Sequence, residues 1–556
     1  MTFRTSADAL LLVAWLTAGA PAARAQEPPA APPAADHHVT AIEITGVTRF
    51  DKETLWATLR VKPGGVLRRD PADLARLIEE HYHTLGWAAA RAQTRFDEAS
   101  GTLHVDVDEG VLTAVEVDGV RGSERERVRG VLKLDPGKPF NDEDVADALR
   151  RLESETSGAF ATEGEPPYTL ERGDGSVRLT LQLRQRTARF RIGPGGTGVA
   201  ALFNRVDGFA PGLSAEALVF APSSFNPLEL YAQANYAFAA KRARYALGAV
   251  RRFGSHGPLV LGYEHHDFTD NDDVYRASGV ERLPGWHIFF SMFQDYYRRR
   301  GDEAYAFVRP SPHVHLGVSF RSDVYASQPV VSDGTFLIGG DPPPNPAVAE
   351  GLSRSLLVTA RWAWKEPLFA DWRDERASFL VRDPYGTPFQ RAQRLRAEAT
   401  YEAADEGALG GAFTFRRFTG QARGAARLSP RNWLMGRLTL GLGSEGLPPQ
   451  RRFSLGGQGT LRGRPRDDVE GDRMALASAE WQFEPNRPLP AVIFFYDGGT
   501  AWDRGAPRPS WRHDVGLGLA WPPGDTRFLR LDAAVPLNET SGERTVRVTG
   551  HVRLPF

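Results

Sequence analysis

From residue 187 onward, apolar and polar positions alternate with a period of two, in short stretches broken by clusters of Gly, Pro and Asp. A period of two marks strands with one apolar and one polar face. Stretches 228–238, 243–251, 259–265, 304–308, 313–321, 355–365 and 393–402 all read this way. The pattern is sharpest at the end, where Val546, Val548, Gly550, Val552, Leu554 and Phe556 alternate with Thr545, Arg547, Thr549, His551 and Arg553. Further strands are predicted near 526–535, 512–521, 490–500 and 474–484. Their connections alternate between tight (522–525, 485–488) and long (537–543, 501–511, 444–473). Residues 187–556 hold about 16 such strands, which suits a membrane barrel whose outer face meets lipid and whose inner face meets water. The fold class is therefore mainly β: a transmembrane antiparallel β-barrel, with its first and last strands near 188–200 and 544–556.

The pattern before 187 is different. A repeat with a spacing of about 73 residues runs through 38–186: the stretch ending at Gly46-Val47 returns as the one ending at Gly119-Val120. Each copy opens with an alternating strand. Short helical segments follow (51–60; 123–132), then amphipathic helices opening near Asp70-Pro71 and at Asn141. Two strands close each copy, 90–98 with 102–109 and 166–172 with 176–184. This gives two small α+β domains of order β-α-α-β-β, 38–111 and 112–186.

Residues 1–25 read as an export signal, with Arg4, an apolar core at 9–20 and an Ala23-Arg24-Ala25 cleavage site. Residues 26–37 read as an extended Pro/Ala-rich linker. No apolar run reaches ~18 residues, so no membrane-spanning helix is predicted.

Composition narrows the chemistry. Net charge is -1 over 556 residues, which gives no electrostatic reason to expect nucleic acid. There are 0 cysteines, which excludes disulfides, thiol catalysis and Cys-based metal sites. No phosphate loop, zinc motif or nucleophile elbow occurs, so no catalytic residue, cofactor or metal is assigned. His265-His266-Asp267 reads as a polar strand end, and 295–300, which mixes Tyr with Arg, as an interfacial girdle. Residues 341–346 read as a stiff Pro-rich loop.

The unusual stretch is 453–466, too rich in Gly and Arg to read as a strand. It is expected to be a loop folded into the barrel. In 474–484, Ala477, Ala479, Trp481 and Phe483 share the apolar face, so Glu480 points inward. In 490–500, Val492, Phe494 and Tyr496 do so, and Asp497 points inward. Arg462 is expected to pair with Asp497, with Glu480 as second partner, because its planar fork binds carboxylates bidentately. Gly463 is expected to allow a sharp turn and close backbone approach.

Several of these features together resemble one family. The order β-α-α-β-β, with Gly46, Gly119 and the Tyr82-x-x-x-Gly86-Trp87 helix exit, resembles the POTRA domain. The series Leu455-Gly456-Gly457, Leu461-Arg462-Gly463, Gly471-Asp472, Glu480 and Phe495-Tyr496-Asp497-x-Gly499 resembles the lid loop and strands of the BamA/TamA superfamily. Asn204–Gly208 is similar to the opening of bacterial surface-antigen barrels. The aromatic C-terminal strand, with Val552, Leu554 and Phe556, is like the terminal signal of outer-membrane barrels. Relatives carry an aromatic residue after the Arg-Gly pair, whereas this chain has Arg464.

The resemblance implies a non-enzymatic protein in the outer membrane of a Gram-negative bacterium, with POTRA-like domains in the periplasm. It would insert or translocate polypeptide clients received at POTRA edge strands, in contact with outer-membrane lipid and a periplasmic accessory protein. Two alternatives stay open: a two-partner secretion transporter for one dedicated protein, and an outer-membrane hydrolase built on the His265–Asp267 cluster. Two POTRA units favour the former. The lack of an amphipathic helix before residue 38 argues against it.

Overall fold

The computed structural model describes residues 37–552, except 174–175, 195–202, 255–258, 272–294, 332–343, 366–367, 369–393, 458, 486–488, 508, 522–528 and 539–544. The export signal, nearly all of the linker, and Leu554 and Phe556 lie outside the described residues. Val552 ends the last strand, Arg547–Val552. His37 and His38 already pair with Leu67 and Val66, so ordered structure begins within the segment read as linker.

Each helix of the first repeat starts where its side chains supply a cap. Asp51 accepts from the Thr54 amide (2.7 Å) to open Lys52–Leu59. Asp70 accepts from the Ala72 amide (2.8 Å) to open Pro71–Thr84, with Pro71 at the first position where its missing N–H costs nothing. Leu74, Ile78 and Tyr82 recur at helical spacing and are buried on a three-stranded sheet. In that sheet Thr102–Asp108 lies between Ala41–Thr45 (parallel) and Arg91–Asp97 (antiparallel). Each such buried side chain contributes about 1.5–3 kcal/mol. Gly46 sits at φ +77°, and a Cβ there would lie 1.9 Å from the Val107 carbonyl oxygen. Gly119 of the second repeat sits at φ +72°, with the Leu183 oxygen 1.6 Å from its Cβ position. The shared glycine is therefore a steric requirement.

The second repeat adds helices Gly122–Leu132 and Asp142–Thr156 and a four-stranded sheet. Its strands are Val111–Asp118, Phe160–Thr162, Tyr168–Gly173 and Ser176–Gln185. Phe160–Thr162 is a strand that the sequence pattern did not indicate.

Among the described residues, one antiparallel sheet beyond residue 187 has sixteen strands, from Ala188–Pro194 to Arg547–Val552, in line with the expected number. Every neighbour in the sheet is a neighbour among its strands in sequence. Leu438, Leu440, Trp481, Phe494, Leu517 and Leu519 are exposed, while Thr439, Gln482, Asp497, Asp514 and Asp532 are buried. A sheet that exposes its apolar face and buries its charged one must curl around the charged side, which makes it a barrel with a polar lumen. Gly212–Val219, Phe415–Ser429 and Asn432–Gly443, outside the stretches named above, belong to this sheet. Among the described residues, the edge strands Ala188–Pro194 and Arg547–Val552 are not paired with each other.

Candidate functional site

The long connection between strands Asn432–Gly443 and Arg473–Phe483 enters the lumen as a hairpin. Its stem corrects the expectation that this stretch holds no strand: Phe453–Leu455 pairs antiparallel with Val469–Gly471. Three apolar side chains explain the difference. Phe453, Leu455 and Leu461 are fully buried against Leu447, Met474, Leu476 and Ala501, so the stem has a core of its own. Gly456 and Gly457 then take φ +132° and +82° and start the tip. The tip closes on itself through the Gly457 amide to the Arg464 carbonyl (3.1 Å) and the Arg464 amide to the Leu461 carbonyl (3.1 Å).

This fold aims three consecutive residues at the barrel wall. Arg462 donates from Nε to Asp497 Oδ2 (2.6 Å) and from Nη2 to Asp497 Oδ1 (2.9 Å), a bidentate pair. Its Nη1 reaches Glu480 (2.8 Å) and Asp532 (3.3 Å). Its guanidinium lies over the Phe495 ring, 3.5 Å from the centroid. Phe495 fits because its neighbour is Gly516, where a Cβ would lie 2.2 Å from the ring. Burial works against the Arg462 charge, but Asp497, Glu480 and Asp532 outweigh it and hold the pKa above its ordinary value.

Asp532 and Arg530, not among the residues singled out from the sequence, also belong to the site. Arg530 bonds Glu480 (2.8 Å) and Asp532 (2.8 Å), so two guanidiniums face three carboxylates. The signal was available, since Leu529 and Leu531 share the exposed face of strand Leu529–Pro536 and leave Arg530 and Asp532 on the other.

Gly463 donates its amide to Asp514 Oδ2 (2.8 Å). A Cβ there would lie 2.9 Å from both Asp514 Cγ and the Pro536 nitrogen. Its φ is not positive, so close approach, and not a left-handed turn, is what demands glycine. Arg464, where the resemblance leads one to expect an aromatic residue, has polar bonds of its own. It is buried, pairs with Asp514 (3.1 Å), and donates to the Asn538 carbonyl (3.1 Å) and side-chain oxygen (3.0 Å).

The root of the lid is held on a different part of the wall. Gln450 exchanges two hydrogen bonds with the Ala349 backbone (3.0 and 3.1 Å). The buried Arg451 donates to Tyr325 Oη (2.7 Å) and faces Glu402 (3.4 Å). Strands Val314–Ser327 and Leu395–Ala404 supply those partners, whereas the tip docks on strands Arg473–Phe483 through Leu529–Pro536. The lid thus spans part of the lumen between two anchors.

The remaining candidates are dispersed. Alternation sends His266 into the lumen beside Asp323 (2.9 Å) and His265 outward to Asp302 (2.9 Å) and Tyr245 (3.1 Å). Asp267 pairs with Arg298. The cluster is not brought together as one site. Arg299, from the stretch read as a girdle, is fully buried and bound to Asp323 and Asp270. Asn345 holds the backbone of Tyr296 and the side chain of Arg205. Asp207 pairs with Arg244 (3.0 Å) within the Asn204–Gly208 segment's surroundings.

A polar-lumened barrel with a loop pinned inside, preceded by two small α+β repeats, defines a class of outer-membrane-type barrel. Residues 392–549 match the Omp85 superfamily domain, and residues 37–110 match POTRA, described as a surface antigen variable number repeat. No curated protein matches this chain in sequence. Among solved structures it is similar to BamA from Haemophilus ducreyi lacking POTRA domains 1-3, at 15% identity and TM-score 0.47, covering 92% of this chain and 99% of that one. It is also similar to CdiB from Escherichia coli, at 16% identity and TM-score 0.32, covering 95% and 92%. CdiB from Acinetobacter baumannii matches at 12% identity and TM-score 0.33, covering 93% and 89%.

Proposed function

We propose that this chain is a non-enzymatic outer-membrane protein that inserts polypeptides into the membrane or moves them across it. The observation that carries the reading is the lid: an Omp85-type barrel holds a hairpin in its lumen by the Arg462–Asp497 pair. Such a barrel can be closed at rest and still admit a chain when the lid shifts. Strands Ala188–Pro194 and Arg547–Val552 stand first and last in the order of the sheet, and lateral exit into lipid is placed between them. The repeats continue into the barrel at the rim with the shorter turns, which belongs in the periplasm. Clients are unfolded or partly folded polypeptides that add a strand to a POTRA edge. No bound nucleotide is required, because folding and apolar burial in lipid supply the free energy.

The test uses the full chain in lipid vesicles with a urea-unfolded outer-membrane barrel as client. Folding of the client, read as its heat-sensitive gel shift, should be faster than in empty vesicles. Equal rates would refute insertion. The pair of N-terminal repeats also favours a second reading, export of one dedicated partner. In that case vesicles should leave the barrel client unaffected but carry a β-helical substrate to a protease-protected lumen.

A further inference from the structure

The two repeats share a plan, and the places where they differ gather at one joint. In the first repeat, Asp51 caps its own helix. The residue 73 positions later is Glu124, and helix Gly122–Leu132 has no side-chain cap. Glu124 is buried and bonds the turn after barrel strand Gly212–Val219: it accepts from the Ser224 amide (2.7 Å) and hydroxyl (2.8 Å). In the first repeat, Glu109 closes the domain by accepting from the Thr48 and Arg49 amides (2.9 Å each) and from Tyr82 Oη (3.0 Å). In the second, Gln185 accepts from the corresponding Arg121 amide (3.2 Å). Its own amide group donates outward, to Glu124 (2.5 Å) and to Ser224 Oγ (2.6 Å).

The helix exits differ as well. Where the first repeat has its Tyr82 exit, the second has Ser157 and Gly158. Their carbonyls accept from Arg189 (3.3 Å) of the first barrel strand and Arg186 (3.1 Å) of the link to it. Arg127 lies over the ring of buried Phe225, 4.0 Å from its centroid. Helix Gly122–Leu132 and segment 147–169 form one compact unit with the barrel.

We infer that the second repeat is specialised as a docking joint for the barrel, in which Glu124, Gln185 and Ser224, with Arg127 on Phe225, fix the periplasmic end of the first barrel strand. The groups that close the first repeat on itself have been replaced by groups that reach the barrel. Only two residues separate Gln185 from Ala188, the start of an edge strand. The joint therefore positions one side of the seam. Client reception falls to the first repeat, a division that rests on the proposed function, whereas the joint itself does not.

The chain has 0 cysteines, so spin labels can be placed at will. Labels at Glu126→Cys, on the exposed face of the joint helix, and Arg431→Cys, on an exposed short turn of the barrel, report the distance between them by double electron–electron resonance. The native joint should give one narrow distribution in lipid nanodiscs. Glu124→Ala with Ser224→Ala should at least double its width, and Glu124→Gln, which keeps an acceptor for the Ser224 amide, should broaden it less. The heat-sensitive gel shift checks that the barrel stays folded in each variant. A broad native distribution, or an unchanged one in the double variant, overturns the joint. If the double variant does not fold, the native width alone decides. A chain with no client activity but a narrow native distribution that broadens in the double variant would refute the proposed function and leave the joint standing.

Discussion

Arg462→Asp is the sharpest test of the lid. The native site sets two guanidiniums, Arg462 and Arg530, against Glu480, Asp497 and Asp532. The substitution sets one guanidinium against four carboxylates. Removing one partner of a buried pair costs about 3–5 kcal/mol. At about 1.4 kcal/mol per tenfold, the lid-out population rises by roughly 10² to several times 10³. The Arg464 anchor remains in place. Trypsin reads the population, because cleavage of a transiently opened segment follows its equilibrium when closing is fast. The bond after Arg466 is the reporter, since the bond after Arg464 precedes Pro465 and resists trypsin. Cleavage in Arg462→Asp should be faster than native by that factor. Adding Asp497→Arg restores two guanidiniums against three carboxylates and should slow cleavage at least tenfold from the single variant. It should stay faster than native, because a side chain fixed on the strand does not rebuild the bidentate fork. A double variant cleaved as fast as Arg462→Asp would refute the reasoning.

Arg464→Phe restores the family's aromatic residue, yet it should loosen the lid. It removes the charge that faces Asp514 and a donor to Asn538, at about 1–3 kcal/mol, so cleavage after Arg466 should rise about tenfold. Slower cleavage would mean that the pocket accepts an aromatic ring. Glu402→Gln removes the charge facing Arg451 at the lid root, and ion conductance across planar bilayers should rise several-fold, whereas native conductance would show that this anchor does not close the pore. In the first repeat, burial and then the Glu109 charge raise the Tyr82 pKa above its ordinary value. That interaction contributes fully below the unfolded pKa of about 10 and is lost as pH rises through the folded value. Melting of the N-terminal helices, followed by circular dichroism at 222 nm in the full chain, should therefore fall in temperature above pH 10. Tyr82→Phe should melt lower at pH 8 and lose that alkaline decline, and an unchanged decline would place the titrating group elsewhere.

Local rules made much of the fold legible. Asp51 and Asp70 open the first two helices because caps and Pro71 act within a few residues. The barrel was legible because one period sets both faces of every strand, and residues 512–521 were read to the residue. Misreadings fell where composition and burial disagree. The stretch 453–466 looks like loop by its Gly and Arg content, but Phe453 and Leu455 pack a core that only the closed barrel provides, and pairing with Val469–Gly471 follows. Asp341-Pro342-Pro343 lies outside the described residues, while Asn345 beside it is a bonded hub.

The candidate site divides along the same line. The inward aim of Glu480 and Asp497 follows from alternation, and the same step applied to the next two strands yields Asp514, Arg530 and Asp532. What alternation does not carry is which inward groups meet. Arg451 and Tyr325 are 126 residues apart, and Arg464 and Asn538 are 74 apart. Those pairings depend on barrel circumference and on how far the hairpin reaches in. Arg464 shows the consequence. Judged alone, it is a missing aromatic contact and a weaker lid. Placed beside Asp514 and Asn538, it becomes a second charged anchor two residues from the first. A lid with two such anchors at its tip should release in one cooperative step and not by fraying, because the Gly463 amide between them bonds the same Asp514 that Arg464 faces.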